Sequence, residues 1–156
     1  MEIIKPGYIR VSDILSIFQA YAHVDRKRLK KAQDTGTIVH KAIECFYEDE
    51  FSPIPKAVLG YFESFLKWND KVRPTPLILE KRYYDDELLV TGRVDMIADI
   101  NGEKVLVDFK TGSWEHRDIW NLQADFYKWL SSEDYIVKKD DLNMEEYGPQ
   151  ENYRHH

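Results

Sequence analysis

Cysteine is almost absent from this 156-residue sequence, and so are long apolar runs. The single cysteine, Cys45, excludes an internal disulfide, a zinc site of several cysteines and an iron–sulfur cluster held by four cysteines. Cys45 lies in "HKAIECFYE", whose helical apolar spacing predicts a buried structural thiol rather than a nucleophile. No apolar run approaches the ~20 residues that span a bilayer, and the first residues, "MEIIKPGYIR", lack a signal-peptide pattern. We therefore expect a cytoplasmic protein with no membrane span.

Basic residues are outnumbered, since 22 lysines and arginines face 28 acids and the net charge is −6. This balance alone does not indicate nucleic acid as a partner. The charge is uneven, however: Asp25 to Lys31, "DRKRLKK", holds five basic residues and one acid, whereas residues 133–156 hold seven acids and three lysines or arginines. The basic run is either a solvated helix face or an edge that binds phosphates.

The length and the hydrophobic content of 43% predict one globular domain over residues 1–156, with a core at about 8–139 and an acidic tail at 140–156. Apolar residues at helical spacing predict three helices, in "VSDILSIFQAYA", "RKRLKKAQDTGTIVHKAIECFYE" and "FSPIPKAVLGYFESFLKWNDKV". Ser12 or Asp13 is expected to cap the first helix. Strand patterns follow in "LILEKRYY", "ELLVTGRVDMIADI" and "KVLVDFK", then a helix in "RDIWNLQADFYKWL" and a short strand in "DYIVK". This order predicts an α/β or α+β domain in which helices flank three antiparallel strands.

The last two predicted long strands form a hairpin with an unusual charge pattern. Asn101-Gly102 is a strong signal for a two-residue turn, and it places Ile100 opposite Glu103. Counting back along both strands puts Asp95 directly opposite Asp108, and Lys110 shares their face. Two carboxylates so placed repel each other and destabilise the sheet, so a compensating group is expected.

This acidic face is either an exposed ion-pair patch or a divalent-metal site. The flanking apolar residues, Val105 to Val107 and Phe109, favour a strand covered on both faces, where unpaired carboxylates are unfavourable. Two carboxylates, a main-chain carbonyl and waters are ligands that Mg²⁺ accepts when it acts on phosphates. We therefore favour the metal site.

Polar pairs at helical spacing lie before and after this hairpin. His40 comes four residues after Gly36, and Gln123 comes four residues before Tyr127. The ordered set Gly36-x-x-x-His40, Gly92-x-x-Asp95, Asp108-x-Lys110 and Gln123-x-x-x-Tyr127 resembles the RecB-type branch of the PD-(D/E)XK nuclease superfamily. Phage exonuclease-like members are similar around "VSDIL", "DTGTIVHKAIE" and "VDFKTG", and the resemblance covers roughly residues 8 to 130.

The resemblance implies a restriction-endonuclease-like core, with a central mixed sheet that contains the antiparallel three-strand meander and is flanked by helices. It also implies metal-dependent cleavage of DNA, with an exonuclease of recombination, repair or phage DNA processing as the closest expectation. One or two Mg²⁺ or Mn²⁺ ions would serve as cofactor. DNA, with its ends as the expected target, would be the partner, together with a second copy of the chain or a recombination protein that helps to grip it.

Site roles follow from the resemblance position by position. Asp95, Asp108, the Phe109 carbonyl and His40 would bind the metal. Lys110 would orient or activate the attacking water and stabilise developing negative charge. The remaining pair, Gln123 and Tyr127, would support the site and contact the nucleic acid backbone.

Several alternatives stay open at this level. Glu44 and Glu80 are either further ligands or surface carboxylates, and Arg93, which faces Lys110 in the derived register, either contacts phosphate or pairs with an acid. Asp108 stands where glutamate is commoner in the superfamily, which shortens that ligand by one methylene. The rival functions are a catalytically inactive binding or scaffolding module with the same fold, and an unrelated α/β protein with a surface ion-pair cluster.

Overall fold

The computed structural model of the protein describes residues 2–18, 25–111 and 117–131. Its elements in chain order are β1 (Ile9–Arg10), α1 (Val11–Ser16), α2 (Arg26–Tyr47), a 3-10 turn (Lys56–Val58), α3 (Leu59–Val72), β2 (Thr75–Asp85), β3 (Val90–Ile100), β4 (Glu103–Val107) and α4 (Arg117–Ser131). The strand predicted in "DYIVK" and the acidic tail lie outside the described residues. Among the helices that the structure describes, none is long and apolar enough to cross a membrane.

Helices α2 and α3 form where the apolar spacing predicts them. α2 begins after Asp25, whose side chain accepts a hydrogen bond from the Lys27 amide at 3.1 Å, and it continues without interruption through Gly36. Its apolar stripe is buried at Val39, Ala42 and Ile43. Cys45 is buried as well, so the prediction of an interior thiol is confirmed.

The cap predicted for α1 is wrong. The helix begins at Val11 and follows Arg10, which makes no side-chain cap, so Ser12 and Asp13 lie inside the first turn. Asp13 instead pairs with Arg10 at 2.8 Å. Arg10 is extended and pairs with β3, so the helix starts at the next residue, Val11, which is buried.

The predicted hairpin is present with the predicted register. Asn101 and Gly102 both have positive φ, 55° and 83°, as a two-residue hairpin turn of this type requires, and Ile100 pairs with Glu103. Two predicted strand limits are wrong. β3 starts at Val90, because residues 86–89 form the turn that connects it to β2, and β4 ends at Val107 instead of continuing through Lys110.

The sheet has four strands and is mixed, which confirms the expected fold class. β3 lies at its centre and pairs antiparallel with β2 along its length and with β4 at Met96 to Ile100. β1, a two-residue strand that the sequence did not predict, pairs parallel with β3 at Val90 and Thr91. Among the described residues, the pairings of β1 and β4 therefore leave out residues 92–95 of β3.

Helices cover both faces of this sheet. One apolar cluster joins α2 and α3 to side chains such as Met96 and Ala98, and the other joins α1 and α4 to side chains such as Val94 and Ile97. Val94 and Met96 would share a face in a regular strand, but they belong to opposite clusters. The alternation of β3 is thus shifted by one residue at Asp95.

The neighbouring strand is irregular at the matching position. Register places Glu80 of β2 opposite Asp95, between the pairs Leu79–Met96 and Lys81–Val94. Glu80 has φ 47°, a left-handed conformation that is unfavourable for a residue with a side chain and that clusters at functional sites. The irregularity therefore lies where the two acids, Glu80 and Asp95, face each other.

Candidate active site

Three side chains from three elements converge at this irregularity. His40 of α2, Glu80 of β2 and Asp95 of β3 each offer one ligand atom, and these atoms lie within 4.8 Å of one another. We call these three residues the metal group. Asp95 is buried, and the Glu80 side chain is 11% exposed, so the carboxylates are largely withdrawn from water. Two desolvated carboxylates this close require a cation.

His40 supplies positive charge to this group. Its Nε2 lies 2.8 Å from the Phe109 carbonyl oxygen, which can only accept, so Nε2–H donates that hydrogen bond. Its Nδ1 lies 3.3 Å from an Asp95 oxygen and 3.6 Å from a Glu80 oxygen. Burial of the ring opposes protonation, but the close approach of the Asp95 carboxylate, with a smaller contribution from Glu80, outweighs burial and raises the pKa of His40 well above its ordinary value. The imidazolium therefore offsets one of the two negative charges of the metal group.

The Phe109 peptide unit, which follows the end of β4, forms hydrogen bonds with two members of the metal group. Its amide donates to Asp95 Oδ2 at 2.8 Å, and its carbonyl accepts from His40. The Phe109 ring is 3% exposed and packs edge-on against Phe65 and Trp68 in the α2–α3 cluster. Core packing thus fixes the peptide that orients both His40 and Asp95.

Asp108 and Lys110 lie beside the metal group and pair with each other. The Lys110 ammonium is 2.7 Å from Asp108 Oδ2, and the Asp108 side chain is 17% exposed. Burial raises the pKa of Asp108 to about 6; the Lys110 charge opposes the rise, and the negative charge of Asp95 adds to it. The two predicted acids therefore interact, but the Asp108 carboxylate is not part of the metal group, and its role as a ligand stays a prediction.

Two side chains of α4, Gln123 and Tyr127, hold Lys110 in place. Lys110 Nζ donates to Gln123 Oε1 at 2.6 Å, and Gln123 Nε2 donates to the Tyr127 hydroxyl at 2.8 Å. Tyr127 is buried against β3, where a Cβ on Gly92 would lie only 2.7 Å from the tyrosine ring. Gly92 therefore permits the close approach of α4, and the predicted Gly92, Lys110, Gln123 and Tyr127 form one connected unit.

A cavity of about 670 Å³ opens beside these groups. Its wall includes His40, Phe109, Lys110 and Gln123, and α1, the N-terminal half of α2 and α4 complete it. The remaining lining residues are Arg10, Ser12, Asp13, Leu15, Ser16, Leu29, Ala32, Gln33, Thr111, Ile119 and Trp120. The basic run begins in the same part of α2, since Leu29, Ala32 and Gln33 line the cavity while Lys30 and Lys31 are exposed.

The structure also decides between the alternatives that the sequence leaves open for Glu44, Glu80 and Arg93. Glu80 belongs to the metal group, whereas Glu44 pairs with Lys41 at 2.8 Å. Arg93 contacts Glu80 at 2.7 Å, so it pairs with an acid. The signal for Glu80 was weak because its backbone conformation, which brings it to His40, is not a local preference of glutamate.

Comparison with known proteins gives one family. The model of the PD-(D/E)XK nuclease superfamily matches residues 54–154, more than half of the chain, and the chain belongs to that superfamily. A comparison with curated proteins finds no match. The matched region contains Glu80, Asp95, Asp108 and Lys110, whereas His40 precedes it. The superfamily indicates a metal-dependent nuclease with nucleic acid as substrate.

Proposed function

We propose that this protein is a divalent-metal-dependent nuclease that hydrolyses DNA phosphodiester bonds. The observation that supports this proposal best is the metal group itself, one member of which, His40, lines the wall of one cavity together with Lys110. A superfamily match that contains the two acids of the hairpin and the lysine adds to it. An inactive binding module would have no need for a desolvated acid pair with a lysine held next to it.

The donor set of the metal group fits a divalent cation. Two carboxylates and one imidazole suit Mn²⁺, and carboxylates with water suit Mg²⁺. Glu80, Asp95 and His40 would hold the ion, with Asp108 as a further ligand that the sequence predicts. The Phe109 carbonyl, also predicted as a ligand, accepts from His40 Nε2 on the side of the ring away from Nδ1, so it would bind the same ion only if that hydrogen bond were broken. His40 would release the proton on Nδ1 when that atom becomes a ligand. A bound ion supplies Lewis-acid stabilisation of the negative charge that gathers on the phosphoryl oxygens.

Lys110 is the side chain placed to act on the phosphate itself. It lines the cavity, and its ammonium is held at 2.7 Å by Asp108 and at 2.6 Å by Gln123. A positive charge fixed in this way stabilises developing negative charge without having to reorganise during the reaction. Gln123 and Tyr127 act as positioning residues, because they reach the reacting centre through Lys110.

The shape of the cavity supports the end of a single strand as substrate. A volume of about 670 Å³ is that of a small-ligand pocket, which suits the end of a strand better than an entire duplex. We therefore propose exonuclease action in recombination, repair or phage DNA processing, as part of the RecB-type, phage exonuclease-like branch. A further copy of the chain or a partner protein would extend the grip on the DNA.

The direct test is incubation of the purified protein with end-labelled linear DNA and with circular DNA, with Mn²⁺, with Mg²⁺ and with chelator. We expect metal-dependent cleavage of the linear DNA that releases products from an end. Lys110→Ala should reduce cleavage at least about a hundredfold while the fold is retained, since it removes a preorganised charge. Lys67→Ala on the exposed side of α3 is the control. DNA binding with no cleavage under any metal would favour the inactive module, and undiminished cleavage by Lys110→Ala would remove the assignment.

A further inference from the structure

A pair of arginines lies next to the metal group, and the site described above assigns it no function beyond the contact of Arg93 with Glu80. Arg82 of β2 and Arg93 of β3 are direct cross-strand partners. Like charges directly opposite each other destabilise a sheet, and Arg82 is only 12% exposed. The arrangement therefore requires an anion.

One residue near the start of the chain provides that anion. A single oxygen of Glu2, Oε2, lies 3.0 Å from Arg82 Nε and 3.7 Å from Arg93 NH1. Arg93 also reaches Glu80 of the metal group at 2.7 Å, so Glu2 is separated from the metal group by one side chain. The Glu2 side chain is 40% exposed, and an ion pair of this exposure contributes little to stability.

Both guanidinium groups keep unused donor capacity. The buried Nε atoms of Arg82 and Arg93 have no aligned hydrogen bond within the part of the chain that the structure describes, although carboxylate oxygens lie within ion-pair distance. Two planar forks that meet at one oxygen match an anion with several oxygens better than they match a carboxylate held by one oxygen.

We propose that Arg82 and Arg93 form a phosphate-binding site beside the metal group, and that Glu2 occupies this site until a phosphate of the nucleic acid replaces it. The proposal rests on the proposed function, since it assigns the phosphate to the nuclease substrate. Glu2 then competes with DNA from within the chain. Displacement of Glu2 exposes two positive charges next to the acids that hold the metal.

The test measures binding of a labelled single-stranded oligonucleotide by fluorescence anisotropy at low salt in EDTA, where no cleavage occurs. Glu2→Gln should tighten binding about threefold to fivefold, because the competing charge is removed. Arg93→Gln should weaken binding by a similar factor and reduce the salt slope by about 1. Glu63→Gln and Lys67→Gln, both on the exposed side of α3, are the matched charge controls.

The double variant Glu2→Gln/Arg93→Gln separates competition from a general charge effect. It should bind no more tightly than Arg93→Gln alone, since Glu2 acts through the arginines. The same comparison with Arg82→Gln, which removes the other arginine charge, serves if the glutamine variant at position 93 fails to fold. A gain for Glu2→Gln no larger than that for Glu63→Gln, or a full gain that persists without Arg93, would overturn the proposal.

Oligonucleotides with and without a 5′-phosphate show which phosphate is bound. A gain confined to the phosphorylated strand identifies a terminal phosphate, and an equal gain for both identifies an internal one; either accords with the site. Metal-dependent cleavage is measured separately. Cleavage without coupling between Glu2 and Arg93 refutes the phosphate site and leaves the nuclease function intact, whereas coupling without cleavage refutes the nuclease function alone.

Discussion

The structure gives Glu80 a role in the candidate site that the sequence leaves open. In the sequence it has the same standing as Glu44, as one of two acids near the site. In the structure its left-handed backbone turns it toward His40 and Asp95, while Glu44 stays paired with Lys41. The two glutamates therefore form a matched pair of variants for testing the metal group.

Metal binding should depend on Glu80 and not on Glu44. Saturating Mn²⁺ is expected to raise the Tm of the wild-type protein by about 5–10 °C, because a ligand bound only by the folded state stabilises it. Glu80→Gln should lose most of this shift, and Glu44→Gln should keep it. Thermal unfolding with and without the ion, followed by circular dichroism, measures both. A shift retained by Glu80→Gln would exclude that side chain as a ligand.

The close contact between Gly92 of β3 and Tyr127 of α4 predicts the effect of a larger residue at position 92. An alanine methyl at position 92 would lie 2.7 Å from the Tyr127 ring and 3.0 Å from Leu130. Gly92→Ala should therefore cost about 1–3 kcal/mol of unfolding free energy. It should also lower cleavage, since displaced Tyr127 no longer holds Gln123 against Lys110. Denaturant unfolding and initial cleavage rates give the two effects.

The Tyr127→Ala background separates overpacking from other causes. Removing the ring relieves the clash, so Gly92→Ala should cost clearly less stability there than in the wild type. Cleavage should not recover in the double variant, because the hydroxyl that accepts from Gln123 is gone. An equal stability loss in both backgrounds would show that the close approach of α4 does not explain the glycine.

At the element scale, the contact between α2 and α3 has a defined pH dependence. The Tyr47 hydroxyl donates to Asn69 Oδ1 at 2.6 Å, and burial raises the pKa of Tyr47 above its ordinary value. The folded state therefore holds this proton more tightly than the unfolded chain, whose tyrosines ionise near pH ~10. The contribution of Tyr47 is present in full below that pH and is lost as the pH rises beyond it.

Tyr47→Phe should accordingly destabilise the protein by about 1 kcal/mol at neutral pH through loss of this hydrogen bond. The difference in unfolding free energy between wild type and variant should shrink as the pH rises above about 10. Urea unfolding across that range checks both statements. A difference that stays constant would show that Tyr47 does not titrate with unfolding.

The elements that the sequence predicts well are those whose cause is local. The apolar spacing fixes α2 and α3, and the Asn101-Gly102 turn fixes the β3–β4 register because turn geometry determines which residues pair. β1 was not predictable, since a two-residue parallel strand depends on a partner about 80 residues away in sequence. The positive φ of Glu80 likewise depends on long-range packing.

The residues of the candidate site also differ in this way, because some belong to local sequence motifs and others depend on long-range packing. Residues in spaced motifs lie together in the structure, where Gln123 contacts both Lys110 and Tyr127. The contact of Gln123 and Tyr127 with the nucleic acid backbone stays a prediction. Arg82 was missed because its pairing with Arg93 depends on the β2–β3 register, which no tight Asn-Gly turn sets. Glu2 was missed because nothing near it in sequence signals a contact with the sheet.

For the whole molecule, charge distribution decides how an acidic protein can bind a polyanion. A net charge of −6 repels nucleic acid at long range, so binding must rely on local positive surface. The exposed part of α2 next to the cavity provides such a surface, with Arg26, Lys27, Arg28, Lys30 and Lys31 within one and a half turns of helix. A solvated helix face would have the same appearance, so the salt dependence of binding is the property that distinguishes them.

If the basic run on α2 binds phosphates, the double variant Lys27→Gln/Lys30→Gln should bind single-stranded DNA more weakly. The slope of log K against log[salt] should fall by about 1 for each phosphate that is no longer neutralised. The control Lys56→Gln/Lys67→Gln changes the net charge equally, at exposed positions on the 3-10 turn and α3. Anisotropy titrations at several salt concentrations give the slopes for wild type and both variants. A change in total charge affects the two double variants alike, whereas direct phosphate binding by α2 is impaired only in Lys27→Gln/Lys30→Gln. Equal slopes for the two double variants would therefore show that the run on α2 is only a solvated face.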